Sequence, residues 1–186
     1  ELAGLSNRCR VCKAAPMRSS PLAFRDATPA DAQAVTDLVN AAYSGPDAAQ
    51  GWTPETHLHA GPRTTLAEVR AILADPAQRI LLCHSPDLVG SVQIDAGGHL
   101  GMLAVPPLRQ AGGIGRALLA HAEDRAHALW GCESLTLTAI SLQTSLIAYY
   151  ERRGYQRTGR REPFPHDDQP GALRQDFDLI ELKKLP

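Results

Sequence analysis

The sequence predicts a mixed α/β or α+β domain with helices packed on a sheet, and three observations predict it. Short apolar or alternating runs of strand character recur along the chain, and longer stretches with a helical apolar period stand between them. Gly- and Pro-containing turns separate the two kinds. The resulting order, β-α-α-β-β-β-α-β-α-β-β, is that of a layered domain. The length of 186 residues suits one compact domain, or one with tails, and is enough to bury a real core.

Each element has its own signal. Residues 1–21 carry Ser, Arg and Pro without periodicity and read as a disordered leader or tail, with Met17 a candidate natural start. A short strand is expected at 22–25. Thr28 and Pro29 then cap and open a helix to about Tyr43, with Ala34, Val35, Leu38, Val39 and Ala42 on one face. Six Gly and Pro residues break 44–63 into a loop, and loops of this length in compact domains are often functional. Thr64 or Thr65 caps a second helix (Leu66, Val69, Ile72, Leu73) that stops at Asp75-Pro76.

Residues 79–84 and 88–94 read as a hairpin, and 99–105, nearly all apolar, as a central strand buried on both faces. From about Gly113 to Trp130 the chain is Ala- and Leu-rich and helical, with Leu118, Ala122, Arg125, Ala126 and Leu129 in a stripe. Residues 134–140 alternate as a strand. A helix over 142–153 ends with Gly154 in the left-handed position past its last turn. Two strands, 155–161 and 177–182, close the domain.

Composition excludes several classes. Charged residues make up 21% and the net charge is -1, so no global field points to nucleic acid or an anionic membrane. No apolar run approaches the ~20 residues needed to cross a bilayer, and the N-terminus lacks a secretory signal's apolar centre, so cytoplasm is the expected location. Cys9 and Cys12 form a C-x-x-C, but Cys83 and Cys132 are isolated, so zinc would lack its second pair. A redox pair would need a strand upstream, and none is readable. His57-x-His59 has no acidic or thiol partner converging on it, and no metal is expected.

The loop Gln110-Ala111-Gly112-Gly113-Ile114-Gly115-Arg116 joins an expected buried strand to a helix start. Its three glycines let backbone N–H groups turn inward as an anion nest at a positive helix end. A diphosphate is the natural occupant. A P-loop would need a Lys after the glycines, and none follows. A dinucleotide fingerprint would need Gly or Ala where Leu118 stands, and an acidic residue at the next strand, which has none. A merely tight turn would not require three glycines.

The run Val105-x-Pro107-x-x-Gln110-x-x-Gly113-x-Gly115-x-x-Leu118-Leu119 resembles the acyl-CoA signature of the GNAT superfamily, Q/R-x-x-G-x-G/A, flanks included. Tyr150-Glu151-Arg152-Arg153-Gly154-Tyr155 resembles the superfamily's second landmark, Tyr-x-x-x-Gly-Phe/Tyr. The resemblance runs from about Leu22 to Leu182 and sets a domain of 22–186 apart from the leader. It implies a mixed, mostly antiparallel sheet of six to seven strands with about four helices on both faces. It also implies acetyl-CoA as co-substrate and no metal.

By that resemblance, Leu103, Ala104 and Val105 would pair with the pantetheine arm through their backbone. The loop from Gln110 through Ala111, Gly112, Gly113, Ile114 and Gly115 to Arg116 would hold the pyrophosphate, with Gln110 at its hinge. Gln143 stands where many members place a pantetheine-binding Asn. Tyr150 would protonate or hydrogen-bond the leaving sulfur, and a phenol of ordinary pKa ~10 carries the proton at neutral pH. Tyr149 reads as packing. Alone, Tyr150 at helical spacing from Leu146 would read as a core aromatic too.

The attacking amine must also lose a proton. His99, at even spacing to Gly101 and Leu103, is expected on their face, where some members carry a glutamate base, and imidazole titrates near ~6.5. Glu55 and His57 lie in the long loop, which in the family drapes over the acceptor. Trp52 could stack on the acceptor and Arg63 could bind a carboxylate. Trp52 reads equally well as an anchor for the loop.

The expected activity is direct acetyl transfer to a primary amine of a small molecule or peptide. A catalytically silent acyl-CoA sensor of the same fold is the alternative. No nucleic-acid or membrane partner is expected. Oligomeric state is not readable, though a homodimer would be common for such a fold.

Overall fold

A computed structural model describes residues 21–52, 57–58, 61–164, 173–174 and 176–185. Within them β1 (Ala23–Asp26) leads into a 3-10 turn at Pro29–Asp31 and then α1 (Ala32–Ser44). After the long loop come α2 (Leu66–Ala74), β2 (Gln78–His84), β3 (Leu88–Asp95) and β4 (His99–Ala104). There follow α3 (Ile114–Trp130), β5 (Leu135–Ile140), α4 (Thr144–Glu151), β6 (Gln156–Pro163) and β7 (Asp178–Lys184). The strands form one seven-stranded sheet in the order β1-β2-β3-β4-β5-β7-β6. Only β4 and β5 pair in parallel; every other neighbour is antiparallel. The expected mixed, mostly antiparallel sheet is present, with element boundaries within a few residues of those read from sequence.

Alternation along the strands divides the core between the two faces. Leu81, Cys83, Val92, Ile94 and Leu100 pack with Leu118, Leu119 and Ala122 of α3 and Ile147 and Tyr150 of α4. Ile80 and Leu82 face the other way, onto Val35 and Val39 of α1 and Val69 of α2. Strand β2, between β1 and β3, therefore buries both faces along Ile80–Cys83, which is why that stretch is apolar throughout.

The long loop between α1 and α2 is tied down at several points. Ala48 and Leu58 are buried. Leu58 packs with Ile140, Phe164 and Phe177 near β7, and its carbonyl accepts from Leu173 N at 2.9 Å. At the loop's exit Asn40 of α1 holds the chain: its Oδ1 accepts from Arg63 N (2.7 Å) and Thr64 N (3.0 Å), and its Nδ2 donates to Thr64 O (2.9 Å). Thr65, not Thr64, is the cap of α2. Its Oγ1 accepts from Glu68 N at 3.2 Å, while the Glu68 carboxylate accepts from Thr65 N (2.8 Å) and Thr64 Oγ1 (3.0 Å).

Two expectations about β4 are corrected. First, it is not buried on both faces: Gly101, Met102 and Leu103 are half-buried. Pairing with β5 is confined to His99↔Thr136 and Leu100↔Leu137, and the strands then part. Second, a bulge breaks the alternation. Ser91 faces Ala104 and Gln93 faces Gly101, so β4 carries one extra residue, and Met102 sits at φ 45°. Leu100 belongs to the α3/α4 side, whereas Met102 and Ala104 pack on the α1/α2 side and Leu103 and Val105 on the α3/α4 side. His99 and Gly101 share a face, a Cβ at Gly101 lying 3.9 Å from His99 Nε2, but Leu103 is not on it.

The cap on α2 carries a stability prediction. Thr65→Ala should cost about 1 kcal/mol, lowering Tm by roughly 2–4 °C in a chain of this size. Thermal unfolding of the variant checks it, and an unchanged Tm would show the box to be idle.

Candidate active site

The parting of β4 and β5 opens a cleft of about 570 Å³. Its walls are the end of β4 (Leu103, Ala104, Val105), the first turn of α3, one face of α4, the end of α1 and the loop at 48–52. Leu146, Tyr149, Tyr150 and Arg153 supply the α4 wall, at the i, i+3, i+4, i+7 spacing of a single helix face.

The α3 end is built for an anion. After a 3-10 turn at Pro107–Arg109, Ala111 takes φ 64° and Gly113 φ 81° at the N-cap of α3. Ala117 N donates to Gly113 O at 3.0 Å as the helix begins, so the N–H groups of Ile114, Gly115 and Arg116 precede any intrahelical acceptor. They sit at the positive end of a 17-residue helix, on the cleft wall. A Cβ on Gly113 would meet nothing within 4 Å, so what demands glycine there is the left-handed backbone. At Gly115 space is the constraint: a Cβ would lie 3.2 Å from Tyr149 Oη. The bare helix turn, with Arg116 and Arg153 on the same walls, fits a diphosphate. Gly112 is exposed and does not line the cleft.

Gln110 starts this loop, but its side chain turns toward neighbouring backbone. Nε2 donates to Val105 O at 3.0 Å, and Oε1 accepts from Trp52 N at 2.7 Å.

On α4, Tyr150 lines the cleft while 7% exposed, its ring edge-on to Tyr149 (5.4 Å) and Tyr155 (5.8 Å). Gln143 is buried at the start of the helix and is not a lining residue. Tyr149 packs against the core as expected and also forms part of the wall. Its ring lies 5.3 Å from that of Trp52, and the Arg153 guanidinium stands 3.3 Å from its centroid. Arg153 Nη1 donates to Tyr149 O at 2.7 Å, while its Nε is buried without a hydrogen-bond partner. Burial pushes the Tyr149 phenol above its ordinary range, with Arg153 and Arg116 opposing the shift, so it remains a proton donor at neutral pH.

Tyr43 at the end of α1 also lines the cleft and donates from Oη to Leu103 O at 2.9 Å. Sequence reasoning missed Tyr43 and Arg153, although the spacing of Arg153 from Tyr149 and Leu146 was readable.

The remaining candidates are more scattered. Trp52 lines the cleft and is 49% exposed. Arg63 stands 5.5 Å from the Tyr43 ring centroid, behind the lining. His99 is half-buried at the start of β4 and outside the lining, its N donating to Asp95 Oδ1 at 2.9 Å. His57 is exposed. Glu55, His59, Cys9, Cys12 and the leader of 1–20 lie outside the described residues. Among the described residues the cleft lining holds two arginines and three tyrosines, with no carboxylate or imidazole. No group of three or more His, Cys, Asp or Glu among them could hold a metal ion.

A wall that combines backbone and guanidinium donors with phenols can bind a phosphorylated carrier and hand a proton to a leaving group. The family model described as an acetyltransferase (GNAT) domain matches residues 54–165. No curated protein matches the sequence. Among solved structures, the spermidine/spermine N-acetyltransferase SpeG from Vibrio cholerae is 18% identical over 88% of this chain and 92% of its own, with a TM-score of 0.61. The ribosomal-protein-S18-alanine N-acetyltransferase from Escherichia coli is 20% identical over 89% and 94%, with a TM-score of 0.64. At these identities the likeness is one of fold. The family match spans more than half of the 186 residues, and the chain belongs to the GNAT acetyltransferase family, an acyltransferase by class.

Proposed function

We propose that this protein moves an acetyl group from acetyl-CoA to a primary amine of a small molecule or peptide by direct transfer. The observation that carries the reading is the first turn of α3, whose N–H groups have no intrahelical acceptor, set on the cleft that Tyr150 and the parted end of β4 also line. In this reading the N–H groups from Ala111 to Arg116 hold the diphosphate, and the backbone of Leu103 to Val105 receives the pantetheine arm. Gln143, the buried N-cap residue of α4, is the side chain that would bond that arm.

The chemistry is a single displacement. The amine nitrogen bonds to the thioester carbonyl carbon, the C–S bond breaks, and the departing thiolate takes a proton from Tyr150 Oη. The proton lost by the amine leaves through water. His99, outside the lining, would act as base only through such water, and Glu55 and His57 are the loop's alternatives.

At the acceptor end, the exposed face of Trp52 offers a stacking surface. Arg63 over Tyr43 offers a cation for an acceptor's carboxylate. The neighbours that acetylate spermidine and a ribosomal-protein alanine span a small amine and a peptide terminus, and the acceptor proposed here falls within that range. We place the enzyme in the cytoplasm, acting without a nucleic-acid or membrane partner; among the described residues no helix is long and apolar enough to cross a membrane. A homodimer is compatible with this reading.

Three expected outcomes test it. Gly113→Asp or Gly115→Asp sets a carboxylate against the diphosphate, so acetyl-CoA should no longer raise the melting temperature; a rise equal to the parent's would sink the site. In a free-thiol assay over a panel of amines and peptides, one acceptor should release CoA. Tyr150→Phe should then lower kcat by about a hundredfold with little change in acetyl-CoA affinity. No thiol release with any acceptor would favour a sensor. Arg153→Met should weaken CoA binding by roughly tenfold or more in titration calorimetry, through loss of a charged donor. If dephospho-CoA suffers the same loss, Arg153 serves the diphosphate; if only CoA does, it serves the phosphate monoester; no loss for either removes it from the site.

A further inference from the structure

We infer that Gln110 is a positioning residue that couples occupation of the anion cradle to the ordering of the acceptor-side loop through Trp52. The inference rests on reading the cleft as an acetyl-CoA site, and it goes beyond that reading by linking the two halves of the reaction.

Gln110 immediately precedes the left-handed Ala111, so its backbone belongs to the cradle. Its side chain does not. The amide donates to Val105 O and accepts from Trp52 N, at 3.0 and 2.7 Å, in one planar group. Both bonds at once require a side chain that donates and accepts; an ionised carboxylate only accepts, an arginine or lysine only donates, and an apolar side chain does neither. Gly51 runs close by, and a Cβ there would lie 3.5 Å from Gln110 Oε1, in ordinary contact.

Among the described residues, Trp52 has few other restraints. Its residue is 49% exposed, and its ring rests on Tyr149, which itself abuts Gly115 and carries Arg153. Backbone and ring of Trp52 thus both lean on donor-side elements. Upstream, by contrast, Ala48 is anchored by burial. An anion that fixes the N–H groups from Ala111 onward also fixes the backbone from which the Gln110 amide projects. That stabilises the docked position of Trp52, the residue offered to the acceptor. The linkage is reciprocal, so a loop held in place strengthens donor binding by the same factor.

Hydrogen exchange with CoA as the probe tests this directly, because the Trp52 amide is itself a member of the clasp. In the parent, saturating CoA should slow exchange at 111–116 and, by about fivefold or more, at 48–52. In Gln110→Met, CoA should still protect 111–116 but leave 48–52 unchanged. Gln110→Glu keeps the size and the acceptor for Trp52 N but loses the donor to Val105 O, and it should show the same split. A residue of merely structural importance would alter protection without CoA and leave the CoA-dependent change intact. If CoA slows 48–52 in both variants as much as in the parent, Gln110 is not the coupler. If the parent shows protection at 111–116 alone, the coupling is wrong while the CoA site stands. If CoA protects neither segment in the parent, the acetyl-CoA reading fails and the inference with it.

Discussion

Strands β4 and β5 hydrogen-bond at His99 and Leu100 and then separate, leaving the end of β4 without the neighbour that a parallel sheet would supply. Main-chain groups freed in this way must be paired elsewhere or face solvent. Tyr43 answers the carbonyl of Leu103 and Gln110 that of Val105, each from an element on the cleft wall. The same separation gives α3 a free first turn and α4 a face with no strand against it. The bulge at Met102 then sends Leu103 and Val105 to the side of α3 and α4, where their backbone reaches the cleft.

The positive character of the cleft is local rather than global. The chain carries a net charge of -1, yet the described cleft wall has two arginines, a helix N-terminus and no carboxylate. A charged ligand is thus met by oriented donors in a partly dry site, where they count for more than a diffuse field. Tyr149 shows the same environment from the side of a titratable group: burial disfavours its phenolate despite two nearby cations. The Tyr149 phenol therefore keeps its proton at neutral pH.

The long loop between α1 and α2 is pinned by segments far apart in sequence. Leu58 from the α1–α2 loop meets Phe164 and Phe177 from either side of the β6–β7 connection, and Leu173 donates to its carbonyl. The Gln110–Trp52 contact adds a further tie, from the loop before α3 to the long loop.

Much of this was readable along the chain. Helices α1, α2, α3 and α4 follow from apolar spacing, with Thr65 marking the start of α2 and Gly154, at φ 91°, lying beyond the end of α4. The glycines at 113 and 115 announced an anion cradle because a left-handed residue and a close helix approach each leave a mark in residue type. Local sequence determines such features, since they depend on bonds between near neighbours.

What tertiary structure alone decided is of another kind. The left-handed residue of the bulge is Met102 and not a glycine, so period-two reading placed His99 and Leu103 on one face when they lie on opposite ones. Tyr43 and Leu103 are 60 residues apart, and Trp52 and Gln110 are 58 apart. No pattern of either segment shows which hydroxyl or amide will face which backbone group, because that follows from how β4 leaves β5 and how the long loop is pinned to α1 and β7. The sequence by itself determined the fold and the donor cradle; only the packing of distant elements decided what surrounds it.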